Sequence, residues 1–245
     1  MLKKFSALAA IAAATIAPAQ ALTLAQWDFN SVPADGSAAT GTLIAAIGAG
    51  TASLVSGTTS TFASGDANGG STDPVTAATG TNDSGWNITT YAAQGTGNGL
   101  HGAQFLVDTT GFGDVLVRWD QRLSNTTSRY TQFQYTTDGT TFVDAASGLF
   151  TGAAGDTWYN NRSVDLSGIA GTANNANFGF RIVAAFAPTS SGYVAATTGS
   201  SYATTGTNRF DMVTVNVTAV PEPESYALML AGLGAIGLLV ARRRA

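Results

Sequence analysis

The chain has 245 residues, no cysteine, one histidine and a formal charge of −4, so a disulfide framework, a thiolate metal site and a thiol nucleophile are all excluded. The charge is unevenly placed: the only lysines are Lys3 and Lys4, the only glutamates are Glu222 and Glu224, and residues 22–219 hold six arginines against thirteen aspartates, a formal −7. Such a body repels phosphate backbones and has no basic stripe, which excludes nucleic acid as a partner, and about 200 residues are enough to bury the core that a disulfide-free domain needs.

Residues 1–21 read as a secretory signal helix. Lys3 and Lys4 form its charged start, Phe5 to Ile16 its apolar stretch, and Ala19-Gln20-Ala21 a small-x-small cleavage site. Export follows, with the mature chain beginning near Leu22. From there to residue 219 apolar and polar residues alternate with period two, and Gly, Asn, Asp and Ser punctuate the runs. That is the pattern of half-buried antiparallel strands.

"LTLAQWDFNS" opens the domain. "ASLVSG" and "STFASG" read as short edge strands or as parts of a long loop within the Gly/Ser/Thr-rich segment 48–80. "DVLVRWDQRLS" places Val115, Val117 and Trp119 on one face, and "YTQFQYTTDGTTFVDA" holds a hairpin signal at Asp138-Gly139. "NFGFRIVAAF" puts Phe178, Phe180 and Ile182 on one side with Arg181 opposite, and "RFDMVTVNVTA" aligns Val213, Val215 and Val217. Helix formers are nearly missing from this body, so the expected fold is an all-β antiparallel sandwich spanning 22–219.

Residues 220–245 have a different character. Two prolines in "VPEPES" hold the chain extended, and an uncharged run at 225–241 leads to Arg242, Arg243 and Arg244. Seventeen residues of helix rise about 26 Å, a short transmembrane helix whose arginines stay on the cytoplasmic side of the inner membrane.

The order Val220-Pro221-Glu222-Pro223, apolar helix and basic terminus resembles the PEP-CTERM sorting signal of Gram-negative exported proteins. The resemblance implies recognition of Pro221, Glu222 and Pro223 by an exosortase, cleavage near that triplet, and release from the inner membrane to the cell surface or the exopolysaccharide matrix. "NRFDMVTV" is also similar to the last strand of jelly-roll, carbohydrate-binding-like modules. That likeness implies a jelly-roll-like sandwich and assigns no function.

Catalysis finds little support in the residues. Glycoside hydrolysis needs two opposed carboxyls, whereas the body has no glutamate and most of its aspartates are in turns. Asp120 beside Trp119 is the best single acid, and His101 is the lone histidine with no G-x-S-x-G elbow elsewhere. The expectation is a non-enzymatic surface or matrix protein, against the alternatives of a polysaccharide-cleaving enzyme or a purely structural component. For a carbohydrate ligand, Trp158 and Tyr159 are the first choice of stacking platform, with Trp86, Tyr91, Tyr193 and Tyr202 in loop-like contexts. For a structural calcium ion, Asp28, Asn30 and Asp211 would form an oxygen cluster if the first and last strands pair.

Overall fold

The structure, a computed structural model, describes residues 21–75, 83–220 and 223–243. Of the expected signal helix only Ala21 is among them; Pro221, Glu222 and Arg244 of the tail also lie outside the described residues. Between 21 and 220 nearly all regular structure is antiparallel β, as the period-two pattern predicts.

One sheet has seven strands. In it β10 (Thr157–Asp165), β7 (Phe112–Leu123), β12 (Asn208–Ala219), β1 (Ala21–Trp27) and β2 (Ile47–Gly48) lie side by side in that order. The start of β12 also pairs with β5 (Ser84–Thr89), which pairs with β4 (Thr59–Ser64). The second sheet runs β3 (Thr51–Val55), β6 (Gly102–Leu106), β11 (Gly179–Ala185), β8 (Tyr130–Thr136) and β9 (Val143–Thr151). The two uncertain segments near residue 55 are therefore strands β3 and β4. The Asp138-Gly139 hairpin joins β8 to β9: Gly139 takes φ 77°, and Asp138 Oδ1 accepts from the amides of Thr140 and Thr141 at 2.8 and 2.6 Å.

Side chains of one parity fill the space between the sheets. Val115, Val117 and Trp119 of β7 and Val213, Val215 and Val217 of β12 face Phe105, Phe133 and Phe180 of the other sheet. Trp27 meets Phe105 edge-on at 5.0 Å and Trp119 stacks on Phe133 at 5.6 Å. Within the second sheet Phe105, Phe180 and Phe133 stack in turn at 4.9 and 5.4 Å. Burying each such ring contributes about 1.5–3 kcal/mol, which lets the core replace disulfides.

One charge is built into this core. The Arg162 guanidinium of β10 lies over the rings of Phe150 and Tyr159 and donates to Gln121 Oε1 at 2.9 Å, Thr131 Oγ1 at 3.2 Å and the Thr151 carbonyl at 3.1 Å. It ties the edge of one sheet to the edge of the other. Burial lowers its pKa to about 10, so it stays charged at neutral pH.

Beyond β12 the chain forms α1 (Pro223–Arg242), where Leu230, Leu233, Ile236, Leu239 and Val240 are exposed. Among the described residues no helix is long and apolar enough to cross a membrane. The transmembrane helix expected over 225–241 is therefore not borne out. Seventeen uncharged residues rise about 26 Å against a hydrocarbon core of about 30 Å, and Gly232, Gly234 and Gly237 dilute their apolar character.

Candidate functional site

Three aspartates from distant parts of the chain meet beside the seven-stranded sheet. Asp73 comes from the loop after β4, Asp83 from the residue before β5, and Asp211 from β12. Met212, with φ 47°, marks a bulge where β12 slips register against β7, between Asp211 and Thr214. All three aspartates are buried, and one carboxylate oxygen of each lies within 4.8 Å of the others.

Four of their six oxygens accept hydrogen bonds from neighbouring groups. Asp73 accepts from Asn30 Nδ2 at 2.8 Å and from the Val75 amide at 2.8 Å, Asp83 from Ser71 Oγ at 3.1 Å, and Asp211 from the Met212 amide at 2.7 Å. The Asp83 and Asp211 carboxyls contact each other, and Asp83 Oδ1 and Asp211 Oδ2 are buried with no other hydrogen-bond partner. Gly65 closes over the site: a Cβ there would come within 2.2 Å of both Asp83 oxygens, so no other residue fits without a shift. Burial pushes the Asp83 carboxyl up to about 7, and burial together with the Asp83 charge holds Asp211 well above the usual carboxylate range. Asp73 is raised by burial as well.

Of the calcium ligands expected from sequence, only Asp211 belongs to this cluster. β1 and β12 do pair, but Asn30 turns its amide nitrogen toward Asp73 and gives its oxygen to the Ser84 amide. Asp28 accepts from the Asn30 amide and lies outside the trio. In sequence Asp73 and Asp83 both read as turn aspartates, with nothing to set them apart.

Asp120, opposite Asp211 in the β7–β12 register, has its acceptors filled by the Thr72 amide and hydroxyl at 2.6 Å each and by the Asn161 amide at 2.7 Å. It pins the loop and the β10 bulge to the sheet. His101 is partly buried at the start of β6, with Nδ1 unpartnered.

The expected aromatic platform is not an exposed surface. Trp158 is buried and donates its indole N–H to the Ala67 carbonyl at 2.8 Å, while Tyr159 is half-buried with its hydroxyl bonded to the backbone of Ala154. Trp86, Tyr91 and Tyr193 are buried too, and Tyr202 stacks on Tyr193 at 4.5 Å where two loops close one end of the sandwich.

The outer face of the five-stranded sheet is polar instead. Strand register aligns Ser53, Gln104, Arg181, Gln134 and Asp144 in one row across all five strands. Arg181 lies 3.6 Å above the Phe142 ring and donates to Gln104 Oε1 at 2.8 Å, and Gln134 donates to Asp144 Oδ1 at 2.9 Å. Gln134 and Asp144 also line an open depression of about 320 Å³ together with Asn98, Gln132, Phe186 and Pro188.

The molecule is thus an antiparallel sandwich followed by α1, a helix with exposed apolar side chains and Arg242 in its last turn. Residues 219–244 match a PEP-CTERM protein-sorting motif, which marks an exported protein sorted within the cell envelope. No curated protein matches the chain. Among solved structures, the CBM22-1 xylan-binding domain of Paenibacillus barcinonensis Xyn10C superposes with a TM-score of 0.39 and 8% identity, over 69% of this chain and 87% of that one. A likeness at that level assigns neither ligand nor activity.

Proposed function

We propose that this is a non-enzymatic protein of the cell surface or exopolysaccharide matrix, cut near Pro221–Pro223 by an exosortase, whose sandwich holds polysaccharide on its five-stranded sheet. Sorting is supported by the motif at 219–244. The exposed apolar side chains of α1 serve the sorting enzyme, since nothing in the sandwich requires them.

The ligand reading is carried by one observation, the row of planar polar groups running from Gln104 through Arg181 and Gln134 to Asp144 beside the depression. Amide, guanidinium and carboxylate groups held flat on a rigid sheet suit the paired hydroxyls of a sugar, and Phe186 adds an apolar wall. Neither acidic site fits glycoside hydrolysis. The three clustered aspartates are buried, and the acceptors of Asp120 are filled.

Affinity electrophoresis of the exported protein through gels containing its own matrix polysaccharide tests this reading. The wild type is expected to be retarded saturably, and Arg181→Ala and Gln134→Ala to lose at least tenfold in affinity, while Tyr159→Phe runs as wild type. No retardation in any gel would leave a purely structural component, and release of new reducing ends would make the protein an enzyme.

A further inference from the structure

We infer that Asp73, Asp83 and Asp211 hold a calcium ion that fastens the loop after β4 onto the seven-stranded sheet. A cluster of acids alone would be weak evidence. Here Asp211 is fully buried, and its Oδ2 and the buried Asp83 Oδ1 have no partner apart from the contact between the two carboxyls themselves, where like charges meet. Buried carboxylate oxygens left unpaired are costly, and native proteins give such atoms a partner. Among the described residues no arginine forms an ion pair with any of the three: Arg209 donates instead to Asn87 Oδ1 and the Ser64 carbonyl.

The three oxygens lie within 4.8 Å of one another, close enough to share one cation. The donors are carboxylates with no imidazole or thiolate, which favours a hard cation over zinc or copper. Magnesium, which keeps most of its waters, is poorly served by a buried protein cage. Asn30 and Ser71 are positioning residues: Asn30 holds Asp73, and Ser71 holds Asp83, through the bonds already described.

The ion would add a further tie between three parts of the chain that the Thr72–Asp120, Asn30–Asp73 and Ser71–Asp83 bonds and the β5–β12 pairing already hold near one another. Asp73 belongs to a loop, Asp83 leads into β5, and Asp211 sits in the central strand of the sheet. Removing the ion would therefore loosen the loop first. The sandwich core is built from other residues and remains.

The purified full-length chain, kept in mild detergent and stripped with EDTA, is titrated with calcium chloride by equilibrium dialysis against ⁴⁵Ca²⁺. One ion per chain is expected, with Kd at or below the roughly 10⁻³ M limit of extracellular calcium modules. At a hundredfold excess over Kd, calcium should raise Tm by about 5–10 °C. Asp83→Asn and Asp211→Asn should each weaken binding more than tenfold, while the exposed Asp108→Asn binds as wild type. In EDTA the two site variants should melt at or above the wild-type temperature, because each removes a buried acid; in calcium they should melt below it.

If Asp211→Asn does not fold, Asp73→Asn on the covering loop supplies the same comparison. Absence of saturable binding with identical melting in calcium and EDTA overturns the inference, as does binding that survives in both site variants. Preference for magnesium overturns it as well. Polysaccharide retention is read on separate gels, so failure of either reading leaves the other standing.

Discussion

The carboxylate of Asp138 accepts from the Thr141 and Thr140 amides and from the Thr136 hydroxyl, and these bonds, the Thr141 amide foremost, hold its pKa well below the usual range. Its folded pKa is depressed, so its stabilising effect is complete above the unfolded value of about 3.9 and is lost as pH falls through the folded value. Asp138→Ala should therefore lower Tm at pH 7, and the gap to wild type should narrow steadily in melts run from pH 5 down to pH 2. An unchanged gap at pH 2 would show that the ionised carboxylate is not what closes the β8–β9 turn. This residue was readable in the sequence because Asp-Gly between two alternating runs has a local meaning. Asp73 and Asp83 have none: they lie more than 120 residues before Asp211, and only the folded sheet brings the three together. Asp211 is legible as a polar residue of the last strand, whereas Asn30 lies past the end of β1, and which of its atoms faces the cluster depends on the Ser84 amide, which no spacing announces.

At the level of strands, alternation carried most of the information. It located β7, β8, β11 and β12 and their inward faces, because a half-buried sheet imposes period two whatever its neighbours. It did not reveal register, and the polar row depends on register. Gln104, Arg181 and Gln134 are ordinary outward residues until three strands align them. The loop aromatics are hidden for a related reason: Tyr193 and Tyr202 belong to the one β11–β12 connection, which packs on the loop after β5, their hydroxyls donating to the carbonyls of Thr96 and Ala92. Close strand approach gives a test at this scale. A Cβ on Gly102 of β6 would sit 2.1 Å from the Ile182 carbonyl oxygen of β11, and the obstacle is backbone that cannot rotate away. Gly102→Ala should cost about 1–3 kcal/mol in urea unfolding, whereas Gly168→Ala, with open space around it, should unfold close to wild type. Equal stability of the two variants would mean that β6 and β11 are not packed as closely as described.

For the whole molecule, the proposed division of tasks between sandwich and tail is tested by intact mass spectrometry of protein recovered outside the cell. Processing near Pro221–Pro223 predicts a mature mass lacking α1 and the terminal arginines, and changing Pro221 and Pro223 to alanine should leave the tail attached and the protein with the cells. An unshortened wild-type chain in the medium would count against exosortase cleavage. The tail could be read in the sequence because composition and order alone define it. The body's ligand could not, since a sheet face becomes a site only after folding.

Strand β12 is the last strand of the sandwich and lies near the middle of its larger sheet, paired with β1, β5 and β7. During export from the N-terminal end, β1 and β7 emerge well before the strand that joins them, and that sheet stays open until residues 208–219 arrive. The sorting motif begins at residue 219, directly behind. If an exosortase cuts here as proposed, completion of the fold and presentation of the cutting site would fall at the same moment of translocation.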